Sequence, residues 1–420
     1  MLDTSDFRQR LENELIGNIL PFWMEQAVDR ENGGFYGALT NDLQILKDVP
    51  RSAVLCARIL WTCAAAYRRY GDAAYLATAR HAYDTLRRAF WDNEHGGVYW
   101  AVDRQARPVN DRKHTYAQAF AIYGLSEYYR ATGEAKSLRL AQELSRLIEA
   151  HSYDAANGGN IECCSRAWGE LADMRLSDKE PDCRKSMNTL LHLLEAYANL
   201  LRVWDDGDLR ARQRGLIEVF LQHVIDPETH HFRLFFDDRW NSLSQRVSFG
   251  HDIEGSWLLV EAMPHPALSL AESTEEGGSE DALTTRVRAA AVEMAQAVYV
   301  EALNADGSLT YEAAPGGHTI RDRHWWAHAE AVVGFYNSYQ ISGRTYFAEA
   351  SRRCWDYIEA YFVDRAHGDW FKLLDPSGAP YTDHVKVGPW ECPYHHARAC
   401  LEMMARLDAS LGLQKCNAPL

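Results

Sequence analysis

The chain has 420 residues, an apolar share of 47% and a formal net charge of −15. That acidity argues against nucleic acid and anionic membranes as partners, because both bind through Lys and Arg, and it suits a neutral or cationic ligand better. No run of 18 apolar residues is present to span a bilayer, and the opening MLDTSDFRQRLENEL lacks the basic and apolar regions of a signal peptide, so the expected location is the cytoplasm.

Along the chain, a turn rich in Gly, Asn, Asp or His followed by a short apolar stretch recurs six times. VDRENGGFYGAL carries Gly33–Gly34, and an all-round apolar helix over 52–67 (SAVLCARILWTCAAAY) follows it. The stretch 72–91 is amphipathic at helical period, and FWDNEHGGVYWAV then turns at Gly96–Gly97. The same order repeats with an apolar helix over 114–129, an amphipathic one over 134–151 and YDAANGGNIECC at Gly158–Gly159. A third apolar helix, 186–204, leads towards DPETHHFRLFF at His230–His231, and SFGHDIEGSWLLVEAM opens a fourth. The acidic, Gly-containing stretch from about Pro264 to Leu283 reads as a solvated loop. EALNADGSLTYEA at Gly307, the helix RHWWAHAEAVVGF, VDRAHGDWFKLL at Gly368 and the helix WECPYHHARACLEM complete the series.

A helix apolar on every side is one that is buried on every side. Alternation of six such helices with six amphipathic ones predicts an all-α fold, an (α/α)6 barrel of about twelve helices. It has an inner and an outer ring of six, with short hairpins at one end, in a single domain over residues 1–415. No GxGxxG follows a strand, so a dinucleotide-binding domain is not expected. Nine cysteines without a CxxC pair point to reduced thiols, with Cys56, Cys63 and Cys400 as small core residues. Thirteen Trp and 21 Tyr fill core or line a pocket suited to the faces of sugars.

Each buried helix nevertheless carries polar or aromatic groups near its start, where an unpartnered one costs a few kcal/mol. They are Arg58; Tyr116; Asn188 and His192; His251 and Glu254; Trp325, Trp326 and Glu330; and Trp390, His395, His396 and Arg398. In a ring these positions converge at one mouth of the barrel. Histidine exchanges protons near neutral pH, Arg58 can stabilise an oxyanion, and Glu254 can orient the His251 ring or bind a sugar hydroxyl. Two bases across a sugar with an oxyanion clamp suit proton abstraction alpha to a carbonyl and return on the other face. Glycoside hydrolysis through Glu254 with Glu330 or Asp252 would leave the histidines unexplained. Metal catalysis through His192, His251, His395 and Glu254 has no ligand motif behind it.

SFGHDIEGSWLL, MNTLLHLLEAY, KHTYAQAFAIYGLSEYY, ARILWTCAAAYR, WWAHAEAVVGFYNSYQ and WECPYHHARACLEM together resemble the N-acylglucosamine 2-epimerase superfamily, in its cellobiose 2-epimerase branch. The resemblance implies an (α/α)6 barrel, no cofactor, and interconversion of gluco and manno configurations at C2 of a reducing-end sugar through a cis-enediolate. By the same resemblance His251 and His395 are the acid/base pair, His192 aids ring opening, and Arg58 steadies the enediolate. Tyr116, Asn188, Glu254, Trp325, Trp326 and Trp390 bind the sugar, Trp390 under its second ring. Alternative outcomes are a mannose 2-epimerase acting on free hexoses, an aldose–ketose isomerase, and a non-catalytic binding protein. The expected partner is a small sugar, with the chain a monomer or weak homo-oligomer. Leu190, His396, Asn160, Cys163–Cys164 and Gly255 depart from the family's usual residues, and these departures are expected to bear on substrate.

Overall fold

The computed structural model describes residues 4–177, 180–263 and 282–413. Among them twelve helices alternate between two rings. The first is continuous from α1 (Thr4–Glu14) through a π turn (Leu15–Ile19) into α2 (Leu20–Glu25). The inner ring consists of α3 (Ala53–Tyr70), α5 (Thr115–Thr132), α7 (Met187–Leu201), α9 (Phe249–Glu261), α11 (Trp325–Ser342) and α13 (Tyr394–Ser410). Each packs on the next, and α13 closes on α3. Outside lie α1–α2, α4 (Ala73–Thr85), α6 (Ala135–His151), α8 (Gly207–Val219), α10 (Ala282–Glu301) and α12 (Thr345–Tyr357). The expected (α/α)6 barrel is the observed one. Most of the stretch expected as a loop, residues 264–281, lies outside the described residues; Ala282 and Leu283 begin α10.

The two helix types differ for the reason their patterns suggest. Every residue of α3 from Ala53 to Ala66 is buried. In α6 only a stripe including Leu140, Leu144 and Ile148 is, while the opposite face meets water. Small residues let the inner helices approach closely: a side chain at Gly124 would meet the Ala57 carbonyl oxygen at 2.7 Å, and one at Gly334 the Ile253 carbonyl oxygen at 2.6 Å. All eight described cysteines are free and buried.

The six recurrent turns are six hairpins, pinned at Val28–Phe35, Trp91–Val98, Tyr153–Asn160, Ile225–Phe232, Leu303–Leu309 and Val363–Trp370. Where the fourth copy lacks glycine, His230 itself takes the left-handed conformation, with φ 61°. Short strands lead into the inner helices, and each pairs with a strand from the following hairpin: Arg51–Ser52 with Ala101–Val102, Lys113–His114 with Cys163–Cys164, and so on round the ring. The last, Val385–Val387, pairs back onto Leu39–Thr40 and closes the circle. This pairing gathers the N-termini of the inner helices, and the side chains of their first two turns, at one end of the barrel.

Candidate active site

At that end lies a cavity of about 250 Å³. Its wall includes ten of the thirteen residues expected at this mouth: Arg58 and Tyr116; Asn188 and His192; His251 and Glu254; Trp325 and Trp326; Trp390 and His395; Glu330, His396 and Arg398 are not part of it. Leu176, Ser177, Glu180, Tyr311, His324 and Glu391 complete it.

Three histidines are each held through Nδ1 by a different partner. His192 donates to Glu195 Oε2 at 3.0 Å, and His395 donates to Glu330 Oε1 at 2.6 Å. His251 Nδ1 lies 2.7 Å from the Ser248 hydroxyl. Ser248 precedes α9 as Ser52 precedes α3 and Ser186 precedes α7. The other two cap their helices, accepting from Val54 and Leu55 N–H and from Thr189 N–H. Ser248 instead gives its side chain to a histidine. The expectation that Glu254 orients His251 is therefore corrected: one helical turn brings both to the cavity, but Glu254 faces Arg398 instead.

Burial, and secondarily His192, push His251 down to about 3, so its ring is neutral at ordinary pH. Burial also lowers His395, with Arg58 and Arg398 acting the same way. Both rings lie against one indole, Trp326, with centroids 4.7 and 5.4 Å from it.

Arg58 is buried, donates to the Tyr116 hydroxyl at 2.8 Å and to Cys392 Sγ at 3.3 Å, and sits 4.2 and 4.6 Å from the ring centroids of Phe120 and Tyr394. Among the described residues no carboxylate pairs with it, so its charge is left for an anion that forms in the cavity. Three more wall atoms have no hydrogen-bond partner among the described residues: Asn188 Oδ1, Glu254 Oε2 and Trp325 Nε1. A buried polar atom without a partner is costly, and ligand hydroxyls would satisfy all three. Trp390 lies at the rim, half-buried, 5.6 Å from the Tyr116 ring and 5.9 Å from Trp100.

Behind the wall Arg398 binds three carboxylates at once: Glu254 at 2.7 Å, Glu330 at 2.6 Å, and Glu195. Trp257 Nε1 donates to the other oxygen of Glu330 at 3.0 Å. Burial, reinforced by Glu330, pushes Glu254 up to about 7. Burial alone would raise Glu195 too, but Arg398 and His192 outweigh it and hold that carboxyl down at about 2.

This layer bears on the chemistries left open above. Glu254, Glu330 and His395 bring ligand atoms within 4.8 Å of one another. The Arg398 guanidinium already sits on both carboxylates, and a metal ion would have to displace it. His251, given over to Ser248, stands outside that group. For hydrolysis, Asp252 is turned away: its oxygens accept from His231 Nδ1 and Phe232 N–H, each at 2.8 Å. Glu330 shares Arg398 with Glu254 and backs His395, so the two do not stand across a gap as a hydrolytic pair would.

The departures from the usual family residues named above are not among the residues of the cavity wall. His396 is fully buried and bonded to Asp369 at 2.6 Å. Leu190 is core, packed beneath Gly159. Asn160 bonds Ser152, and Cys163–Cys164 form a strand. Glu162 holds the start of α7 by accepting from Ser186 N–H and the Thr189 hydroxyl. At Gly255 a methyl group would run into the Phe232 ring at 2.2 Å, so the glycine is matched to that ring. Sequence reasoning overlooked Glu195, Ser248 and the contribution of Leu176, Ser177 and Glu180. Glu195 could have been found from its i+3 spacing to His192.

Residues 34–399 match the N-acylglucosamine 2-epimerase (GlcNAc 2-epimerase) family. The chain is 42% identical over 398 residues to a cellobiose 2-epimerase of Bacteroides fragilis, which spans 94% of this chain and 98% of that one. It is 35% identical over 407 residues to a cellobiose 2-epimerase of Dictyoglomus turgidum, spanning 97% and 100%. Among solved structures, cellobiose 2-epimerase from Bacillus thermoamylovorans superposes with a TM-score of 0.88 at 37% identity, covering 96% of this chain and 100% of that one. The barrel, the cavity at the N-terminal ends of its inner helices and these matches agree: the chain belongs to the N-acylglucosamine 2-epimerase family of carbohydrate epimerases.

Proposed function

We propose that the chain interconverts the gluco and manno configurations at C2 of a reducing-end sugar, without a cofactor, by proton removal and return between His251 and His395. The observation that carries this reading is the pair of imidazoles flanking Trp326 in one cavity with the unpaired Arg58. With Nδ1 held by Ser248 or Glu330, each ring turns Nε2 to the cavity, one entering the reaction with its lone pair bare and the other protonated there, and the two exchange these states in a turnover. His192, backed by Glu195, moves the proton between O1 and O5 that opens the ring. One imidazole then takes the C2 proton, the cis-enediolate oxygens face Arg58, and the other imidazole delivers a proton to the opposite face. Asn188, Glu254 and Trp325 hold the hydroxyls. The half-buried Trp390 with Trp100 beside it offers a stacking surface for a second ring, which supports a disaccharide such as cellobiose or lactose.

The test is proton NMR of cellobiose, lactose, mannose and glucose, each incubated with the protein in D2O. Loss of the C2 proton signal with growth of the C2 epimer, fastest for a disaccharide, is expected. Fastest turnover of free mannose would replace the substrate. A ketose as main product would make the chain an aldose–ketose isomerase, and no exchange with any of the four would overturn the reading.

A further inference from the structure

Arg398 is absent from the cavity wall, yet it touches the carboxylate behind every acid/base or sugar-binding group that has one. Its Nη1 reaches Glu195, which orients His192; its Nη2 reaches Glu254, whose free oxygen is in the wall, and Glu330, which orients His395. The guanidinium is itself fixed, fully buried, with the Tyr394 ring centroid 4.0 Å away and the Trp257 ring at 4.7 Å. Three carboxylates from three different helices thus share one cation supplied by a fourth. A planar fork with fixed donor directions can satisfy that arrangement, whereas a point charge cannot.

We infer that Arg398 is a positioning residue that yokes His192, Glu254 and His395 into one unit by holding Glu195, Glu254 and Glu330 in register. The inference rests on the epimerase reading and extends it to a residue that meets no substrate. Its consequence is a shared electrostatic state. The charged and titratable groups around the fork are Arg58 from α3, Tyr123 from α5, His192 and Glu195 from α7, Glu254 from α9, Glu330 from α11, and Tyr394, His395 and Glu402 from α13. Arg58 is the other buried cation in this set, and it is turned to the cavity. Loosening Arg398 therefore moves all three carboxyls together toward their protonated forms. A protonated Glu330 no longer supports the basicity of His395.

The experiment measures kcat and kcat/KM for C2 exchange against pH in the wild type and in Arg398→Lys, with folding followed by circular dichroism. Lys keeps the charge but loses the fork. The expected result is a folded variant whose kcat falls roughly 100-fold, the low end of what positioned acid/base groups contribute, and whose acid limb moves to higher pH. A purely structural arginine would lower the melting temperature and scale the rate while leaving the limb in place, and that result overturns the inference. If Arg398→Lys does not fold, Tyr394→Phe decides. It removes only the hydroxyl shared by Arg398 and Glu195, and the limb must move in the same direction by a smaller amount; an unmoved limb overturns the inference. Absence of exchange in the wild type would instead overturn the epimerase reading.

Discussion

The α9 and α13 edges of the cavity each present a histidine to the same indole, yet they support it in different ways. His251 rests on a hydroxyl, Ser248, which immediately precedes its own helix. His395 rests on a carboxylate, Glu330, which is bonded in turn to Arg398 and Trp257. A hydroxyl orients a neutral ring without favouring its charged form, whereas a carboxylate does both. Burial pushes both imidazoles down, and at the α13 edge the Arg58 and Arg398 guanidiniums push the same way, against the Glu330 carboxylate bonded to the ring. The two bases of the proposed reaction are therefore unequal in their support: α9 rests on a neutral hydroxyl, α13 on a carboxylate held in a charged network.

The largest effect should come from removing either base. In His251→Asn and His395→Asn, epimerisation is expected to fall at least about 10³-fold with the fold retained. The comparison sharpens if residual deuterium uptake at C2 is followed separately for each epimer. A variant with one base left should exchange the proton of the epimer facing that base, and the two variants should show opposite preferences. Equal uptake from both epimers in either variant would show that one imidazole serves both faces.

Next come the supports. Glu330→Gln removes the counter-charge but keeps an acceptor, and kcat should drop roughly 100-fold, a loss comparable with that of a poorly tuned acid/base group. Ser248→Ala removes one neutral hydrogen bond, worth about 1 kcal/mol, so the loss should stay within about tenfold. If steady-state kinetics place the two losses level, the asymmetry between the edges has no chemical meaning.

A smaller effect distinguishes the groups by pH. His251, held down at about 3, stays neutral through the whole range in which the protein would be assayed. Glu254, pushed up to about 7 by burial and Glu330, does not. The inflection of kcat/KM on the acid side should thus lie near 7 and belong to the carboxyl rather than to a histidine. A pH–rate series should show that inflection vanish in Glu254→Gln, in which activity is lower and flat. An inflection that persists there belongs to another group.

The barrel was readable from the alternation of all-round apolar helices with striped ones, because burial on one side or on every side writes itself into composition at helical period. The ten wall residues were readable for a related reason. A polar side chain such as Asn188 or Glu254 in an otherwise apolar helix has no cause in packing, so it signals a cavity. What stayed hidden depends on contacts made across the ring. Ser248 has the same place before its helix as Ser52 and Ser186, and nothing local says that its hydroxyl serves a histidine. Arg398 is expected at the mouth and Glu195 goes unnoticed, because which carboxylates meet on one guanidinium is set by how four helices come together. The departures at His396 and Leu190 drew attention because they differ from the family's usual residues, and both lie within two positions of site residues. One step along a helix turns a side chain by about 100°, and both point into the packing behind the site.

The same contrast between an oriented neutral imidazole and a charge-supported one extends to a histidine far from the chemistry. His328, on α11 and fully buried, donates from Nδ1 to the His324 carbonyl oxygen at 2.8 Å and accepts at Nε2 from Leu309 N–H at 3.0 Å. Both nitrogens are thus committed to one tautomer of the neutral ring. Protonation would set an N–H against the Leu309 N–H, and burial pushes the group down to about 3. In the unfolded chain the same ring titrates near its ordinary value of about 6.5. The unfolded state therefore binds the extra proton first, so this group's contribution to stability is present above about 6.5 and is lost as pH falls towards 3. A glutamine can offer one donor and one acceptor at this place without ever taking a proton. The melting temperature of His328→Gln is expected to lie a few degrees below wild type at about pH 7.5, with the gap narrowing steadily down to about pH 4.5. A gap that is constant with pH, followed by calorimetry, would mean that His328 is protonated without penalty in the fold, and that a fixed neutral tautomer is not what this position requires.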